Sequence, residues 1–225
     1  MTRFAQNLVG DDRLDARDRL AAILSDAAKG RFPPADGQVS VLPQPSPRDC
    51  GIFGFTAHAV IFTDADPDWV TGQVPPGDLG APLNAAFVQA LANATGRVAG
   101  SIDLLCVAEP LAGPPPVALT PETDDSHPRI ERALRYRDEV RAWTADGGVV
   151  LLGRGVAGRL ETAIEVDQNQ RELGLGRALA RAARHLAPTS EPVWAQVAPA
   201  NAASVRAFLA AGFTPVGAEV LLAVP

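Results

Sequence analysis

The first periodic stretch of the chain is helical. Between positions 12 and 29, Leu14, Ala21, Leu24 and Ala28 recur at helical spacing, with Asp11 or Asp12 as a cap and Gly30 as a stop. Residues 38–42 then alternate as a short strand, which Pro43, Pro45 and Pro47 end. The apolar run 51–62 predicts two strands or one bent hairpin. A Pro- and Gly-bearing loop over 63–80 precedes a helix at about 82–95. That helix carries Leu83, Phe87, Ala90, Leu91 and Ala94 on one face, and Gly96 ends it. Residues 101–108 predict a buried strand.

Residues 109–116, Glu-Pro-Leu-Ala-Gly-Pro-Pro-Pro, suit neither helix nor strand and predict a linker. They divide the chain into an α/β domain over 1–113 and a second domain over 117–225. In the second domain, residues 117–119 predict a short strand and 128–137 a helix. Strands follow at 139–144, 149–152 and 159–166. A polar turn over 167–173 leads into a helix at 174–187, with Leu175, Leu179, Ala182 and Leu186 inward and Arg177, Arg181 and Arg184 toward solvent. A strand at 193–197, a helix at 201–211 stopped by Gly212, and a strand at 215–222 complete the order. These elements predict an α+β fold with a mixed sheet.

Composition narrows the function classes. The chain has 225 residues, 47% hydrophobic and 20% charged, which argues against disorder. Net charge is −6, so no general electrostatic attraction to nucleic acid or an anionic membrane is expected. Lys29 is the sole lysine among 20 basic residues, a bias that reads as codon composition. Cys50 and Cys106 form neither a disulfide framework nor a zinc motif, so no metal is expected. No leader or membrane-length apolar run is evident, which makes a reducing cytoplasm the expected compartment.

The most informative stretch is Val166-Asp-Gln-Asn-Gln-Arg171-Glu-Leu-Gly174-Leu-Gly176-Arg-Ala-Leu. It places a glycine-bearing turn between a strand and a helix. Backbone N–H groups at a helix start have no internal partner and sit at the positive end of its dipole, so they attract phosphate-type anions. Arg171 and Arg177 add charge at the rim. No Lys-Ser/Thr follows, as a Walker loop requires, and Leu179 occupies the third glycine position of a dinucleotide fingerprint. Alone, this stretch reads equally as an ordinary turn. A second stretch, from Asn201 through Ser204 and Phe208 to Gly212-Phe213, opens a helix with Asn201 and Ser204 on one face. Alone, Asn201 reads as a helix cap.

Together the two stretches resemble the GNAT superfamily of acyl-CoA-dependent N-acyltransferases. Arg171, Gly174 and Gly176 match its Arg/Gln-x-x-Gly-x-Gly/Ala loop, and Asn201, Ser204, Gly212 and Phe213 match its later helix. The resemblance covers about residues 117–225. It implies a central, mostly antiparallel splayed sheet flanked by helices, with acetyl-CoA as co-substrate in the splay. Pantetheine would pair with backbone near Ile164, Val166 and Asp167. The pyrophosphate would rest on the N–H groups of Arg171, Glu172, Leu173, Gly174, Leu175, Gly176 and Arg177, and Asn201 would touch the pantetheine or the reacting end. The resemblance also suggests that residues 12–108, in similar element order, are a degenerate second copy, giving two tandem halves. The other reading is an unrelated extension over the acceptor site.

Direct acyl transfer needs a base for the ammonium proton, and family members often use a Glu on the strand before the loop. Glu161 and Glu165 share one face there by alternation, the other reading being two solvated strand charges. The Tyr that the family often carries seven residues after the Asn, as the acid for the thiolate, is here Phe208. That leaves a non-catalytic acyl-CoA-binding or regulatory module, or another phosphate binder, as competing readings. His58 reads as a core histidine, His127 as a loop residue and His185 as a surface residue. The expected partner is a small-molecule or peptide amine; an oligomer is open, since the last strand can pair at its edge.

Overall fold

The computed structural model describes residues 2–225, with side chains from residue 13 onward. In chain order the elements are α1 (Thr2–Ala28), β1 (Val39–Leu42), β2 (Gly51–Phe55), β3 (His58–Phe62), α2 (Pro67–Gly72), α3 (Ala85–Thr95), β4 (Val98–Ala108), β5 (Thr120–Glu122), α4 (Pro128–Tyr136), β6 (Asp138–Ala145), β7 (Gly148–Arg154), β8 (Leu160–Val166), α5 (Leu175–Leu186), β9 (Val193–Val197), α6 (Ala202–Ala210) and β10 (Thr214–Ala223). The fold is α+β with a mixed sheet. The chain divides into two compact units, residues 1–103 with 216–225, and residues 104–215. The Pro/Gly stretch 109–116 therefore lies inside the second unit, and most of the last strand lies in the first.

In the first unit the strands run in the order β1-β3-β2-β10. β2 and β3 form an antiparallel hairpin and β1 adds parallel to β3. Ile52, Phe53, Val60, Ile61 and Phe62 are fully buried, so both faces of this hairpin are covered, as its unbroken apolar run requires. The first helix starts upstream of the expected Asp11 or Asp12 cap, at Thr2. Its buried stripe is Ala16, Leu20, Leu24 and Ala27, while Leu14 is exposed. The expected loop 63–80 contains α2, which Asp66 starts by accepting the Trp69 N–H at 2.9 Å. α3 is capped by Asn84 and ended by Gly96 at φ 64.

In the second unit the order is β4-β9-β8-β7-β6-β5. β6, β7 and β8 form an antiparallel meander. Successive strand residues face opposite ways. Val150, Leu152 and Leu160 therefore pack with Leu179, Ala180 and Ala183 of α5 and Phe208 of α6, whereas Leu151 and Ala142 pack with Ile130 and Ala133 of α4. The strand expected over residues 117–119 forms at Thr120–Glu122 instead, antiparallel to β6. Arg184, expected toward solvent, donates to the carbonyls of Glu109 at 2.9 Å and Ala211 at 2.6 Å, tying α5 to the start of the Pro/Gly stretch and to the end of α6. Among the described residues, no helix is long and apolar enough to cross a membrane.

Candidate functional site

The second unit carries the sequence motifs, and two features of its backbone bring them together. The first is a parting of strands. β8 registers with β9, in parallel, at Glu161↔Trp194, and beyond that pair neither strand is registered with the other. Each keeps its other neighbour. β8 stays paired with β7 from Leu160 to Val166, and β9 with β4 from Val193 to Val197. The residues after Glu161 and Trp194 thus form the two walls of a wedge.

The second feature is the turn that leaves β8. The Asp167 N–H donates to the Gly147 carbonyl at 2.9 Å, and a 3-10 turn follows over Gln168–Gln170. Glu172 and Gly174 then adopt left-handed backbone at φ 66 and φ 89. The Gly174 conformation starts α5 without any side-chain hydrogen bond to its first amides. A Cβ on Gly174 would meet nothing within 4 Å, so this glycine answers to its φ rather than to crowding. Gly176 differs. Its Cβ position lies 3.6 Å from both the Ala207 Cβ and a Val166 methyl, facing inward between α6 and β8. Arg171, Glu172, Leu173 and Arg177 are exposed, and Leu175 is half-buried against the core. The Arg171 Nε lies 3.4 Å from the Val166 carbonyl oxygen. Ile164 and Val166 pack beneath α5.

The two strand carboxylates share a face, as alternation predicts, yet their surroundings are opposite. Glu161 is 3% exposed, and both of its oxygens are taken. The Arg159 Nε donates to Oε1 and the Arg137 Nε to Oε2, each at 2.7 Å. Burial pushes the Glu161 carboxyl up, but the charges and hydrogen bonds of Arg159 and Arg137 outweigh it and hold the group below its ordinary value. Arg137 also donates to the Gln196 Oε1 at 3.1 Å, and the Arg159 guanidinium lies 5.6 Å from the Trp194 ring centroid. The Gly155 hydrogen makes room for this group, since a Cβ there would overlap the Glu161 carboxylate. Glu165 is half-exposed and takes one hydrogen bond from the Arg129 Nε at 3.1 Å.

The second motif lies on α6. The Asn201 Oδ1 accepts the Ser204 N–H at 3.0 Å, so Asn201 caps this helix from an exposed position, and Ser204 is half-buried behind it. Phe208 is buried edge-on against Phe213, with ring centroids 5.0 Å apart. Tyr136 closes α4 with the Arg132 guanidinium 5.4 Å from its ring centroid. The His127 Nδ1 caps α4 by accepting the Arg129 N–H at 3.1 Å, and the His185 Nδ1 lies 3.1 Å from the Gly113 carbonyl oxygen. Sequence reading missed Arg137 and Arg159. Arg159 left a signal, standing two residues from Glu161 on one strand face, whereas Arg137 joins only through the pairing of β6, β7 and β8.

No family model matches the sequence, and no curated protein matches it. Among solved structures, the chain is similar to a GCN5-related N-acetyltransferase from Kribbella flavida, with 15% identity over 61% of this chain and 63% of that one and a TM-score of 0.38. It is similar to an acetyltransferase of the GNAT family from Colwellia psychrerythraea, with 14% identity over 77% and 81% and a TM-score of 0.41. A tandem GNAT protein from the clavulanic acid biosynthesis pathway gives 17% identity over 60% and 57%, with a TM-score of 0.38. The chain thus spans less than two thirds of the first and third of these.

Proposed function

We propose that the second unit binds an acyl-coenzyme A, acetyl-CoA being the expected donor, and transfers its acyl group directly to a primary amine. The observation that carries this reading is the parting of β8 from β9 after Glu161↔Trp194, followed by the uncapped start of α5. The residues present suit a diphosphate. The first amides of α5 have no side-chain acceptor, Gly174 leaves open space beside them, and Arg171 and Arg177 stand exposed at the rim. The thioester supplies the activated acyl carbon.

The chain's own residues would do the rest. Backbone of β8 at Ile164 and Val166 would align the pantetheine arm along the wedge; the expected Asp167 does not serve, because its N–H donates to the Gly147 carbonyl and its own carbonyl accepts the Gln170 N–H. Glu165 is the better placed base, because it is half-exposed and holds one ion pair, whereas Glu161 is sealed between two arginines. Glu165 would take a proton from the acceptor ammonium. The neutral nitrogen then bonds to the acyl carbon as the carbon–sulfur bond breaks, the thiolate leaves, and the new amide nitrogen gives up its surplus proton to solvent. With Phe208 buried in the core, the thiolate takes its proton from water.

Calorimetric titration with acetyl-CoA, followed by release of free thiol with a panel of amines, tests this. Binding together with turnover is expected, with Glu165→Gln slowing turnover about a hundredfold while sparing affinity. The absence of binding would overturn the reading. Binding without turnover on any amine would favour an acyl-CoA-binding module, the reading that Phe208 in place of a phenol supports.

A further inference from the structure

The first unit contains a hydrogen-bonded relay that the acyl-CoA reading leaves unused. β1 lies at the end of the strand order and runs parallel to β3 in the register Ser40↔Val60. Side chains two apart share a face, so Ser40 stands diagonal to His58, the first residue of β3. The Ser40 Oγ lies 3.0 Å from the His58 Nε2. On the far side of the ring, the His58 Nδ1 lies 2.9 Å from the Asp36 Oδ1. Asp36 is itself fixed: its Oδ1 accepts the Gln38 N–H at 2.9 Å, and the Gly37 N–H donates to the Ala57 carbonyl at 2.8 Å, pinning the loop to the hairpin turn.

The order hydroxyl, imidazole, carboxylate is what nucleophilic acyl chemistry requires. A carboxylate at Nδ1 places the proton there and leaves the Nε2 lone pair facing the hydroxyl. The hydrogen bond from His58 holds the Asp36 carboxyl below its ordinary value, so it stays charged. His58 is buried while Ser40 is half-exposed, so the hydroxyl is reachable and its base is screened. Alternation along β1 gives a candidate oxyanion donor. The Gln38 and Leu42 carbonyls accept from β3, at Ala59 and Thr63, so the Val41 N–H, next after Ser40, points away from β3. Apolar surface flanks the group. Phe32, 45% exposed, packs on Phe55, which pairs with His58, and Leu79, 61% exposed, lies beside Gly37.

We propose that Ser40, His58 and Asp36 form a second catalytic centre, one that hydrolyses carboxylic esters with apolar acyl groups. The His58 Nε2 takes the Ser40 proton as Oγ bonds to the acyl carbon. The acyl carbon–oxygen bond then breaks, and His58 returns that proton to the leaving alcohol. A water, deprotonated in turn by His58, attacks the acyl-serine, releasing the carboxylic acid and restoring the hydroxyl.

The test uses the full chain and two probes. A fluorophosphonate should attach to Ser40 in the native protein, read by peptide mass mapping. Hydrolysis of p-nitrophenyl butyrate should fall about a hundredfold or more in Ser40→Ala and in Asp36→Asn. Labelling needs no variant, so it decides the matter even if a substitution unfolds the protein. The proposal is overturned if native protein carries no adduct on Ser40, or if folded Ser40→Ala hydrolyses the ester at the wild-type rate.

Discussion

The two units leave their central strands in opposite ways. In the first, β3 leads to α2, which opens on Pro67 and whose Trp69 amide is already occupied by the Asp66 carboxylate, and then to α3, capped by Asn84. Asp66, Asp68 and Asp78 also make that stretch acidic. In the second, β8 leads to α5, which starts at Gly174 with no side-chain cap and with Arg171 and Arg177 nearby. A helix start that is satisfied by its own side chain and flanked by carboxylates repels an anion; one left open by a glycine attracts it. The difference lies in a few residues at each junction, which is why similar element orders can serve different chemistry.

The strongest way to break this comparison is to loosen β8 itself. In Glu161→Gln, two guanidinium groups lose a carboxylate that is 3% exposed. Removing one partner of a buried ion pair costs about 3 to 5 kcal/mol. Each unit carries its own reporter thiol, both buried, with Cys50 in the first and Cys106 in the second, its pKa pushed up to about 11 by burial. Alkylation of Cys106 should accelerate more than that of Cys50; equal acceleration would mean that the loss is not confined to the second unit. The same pair sets a pH dependence. The folded pKa of Glu161 lies below its ordinary 4.5, so its stabilisation is present above that pH and is lost as pH falls through the folded value. Denaturant midpoints measured from pH 6 down to pH 3, in wild type and Glu161→Gln, should converge.

A matched pair of glycines tests the anion site. Gly77 in the first unit and Gly174 in the second have φ 81 and φ 89, and a Cβ on either meets nothing within 4 Å. Valine at either position should cost about 1 to 2 kcal/mol from left-handed backbone alone. Calorimetry should then show acetyl-CoA affinity reduced about tenfold or more by Gly174→Val and unchanged by Gly77→Val. Equal losses of affinity would make the Gly174 effect one of stability. Gly176→Ala should change affinity far less, since its Cβ position faces Val166 and Ala207.

Most of the order of elements was legible because alternation, helical spacing and Gly/Pro punctuation are local. β9 spans the expected 193–197, α3 ends at Gly96, and α6 lies between Asn201 and Gly212. Helix register was harder. Two apolar stripes fit α1, and only packing selected Ala16, Leu20, Leu24 and Ala27 over the one that begins at Leu14. The turn into α5 was legible because its glycines and arginines are contiguous. The setting of Glu161 was not, because Arg137 comes to it through two strand pairings. Nor was the Ser40–His58–Asp36 group, because the parallel register of β1 on β3 leaves no mark in either strand's own composition.

The smallest expected effect separates two roles of one residue. Asn84 and Asn201 cap α3 and α6 alike, their side-chain oxygens accepting the Phe87 and Ser204 N–H groups at 2.8 and 3.0 Å. Alanine at either should cost about 0.5 to 2 kcal/mol. Serine at Asn201 exchanges the carboxamide for a hydroxyl that can still cap the helix, so its thermal midpoint should stay near wild type. If the Asn201 side chain also touches the bound coenzyme, Asn201→Ser should weaken acetyl-CoA binding about two- to threefold, roughly half a kcal/mol, with stability retained. Affinity equal to wild type would reduce Asn201 to the cap alone and make the second unit's α6 start equivalent to the first unit's α3 start. The contrast between the units would then rest entirely on Gly174 and the turn before it.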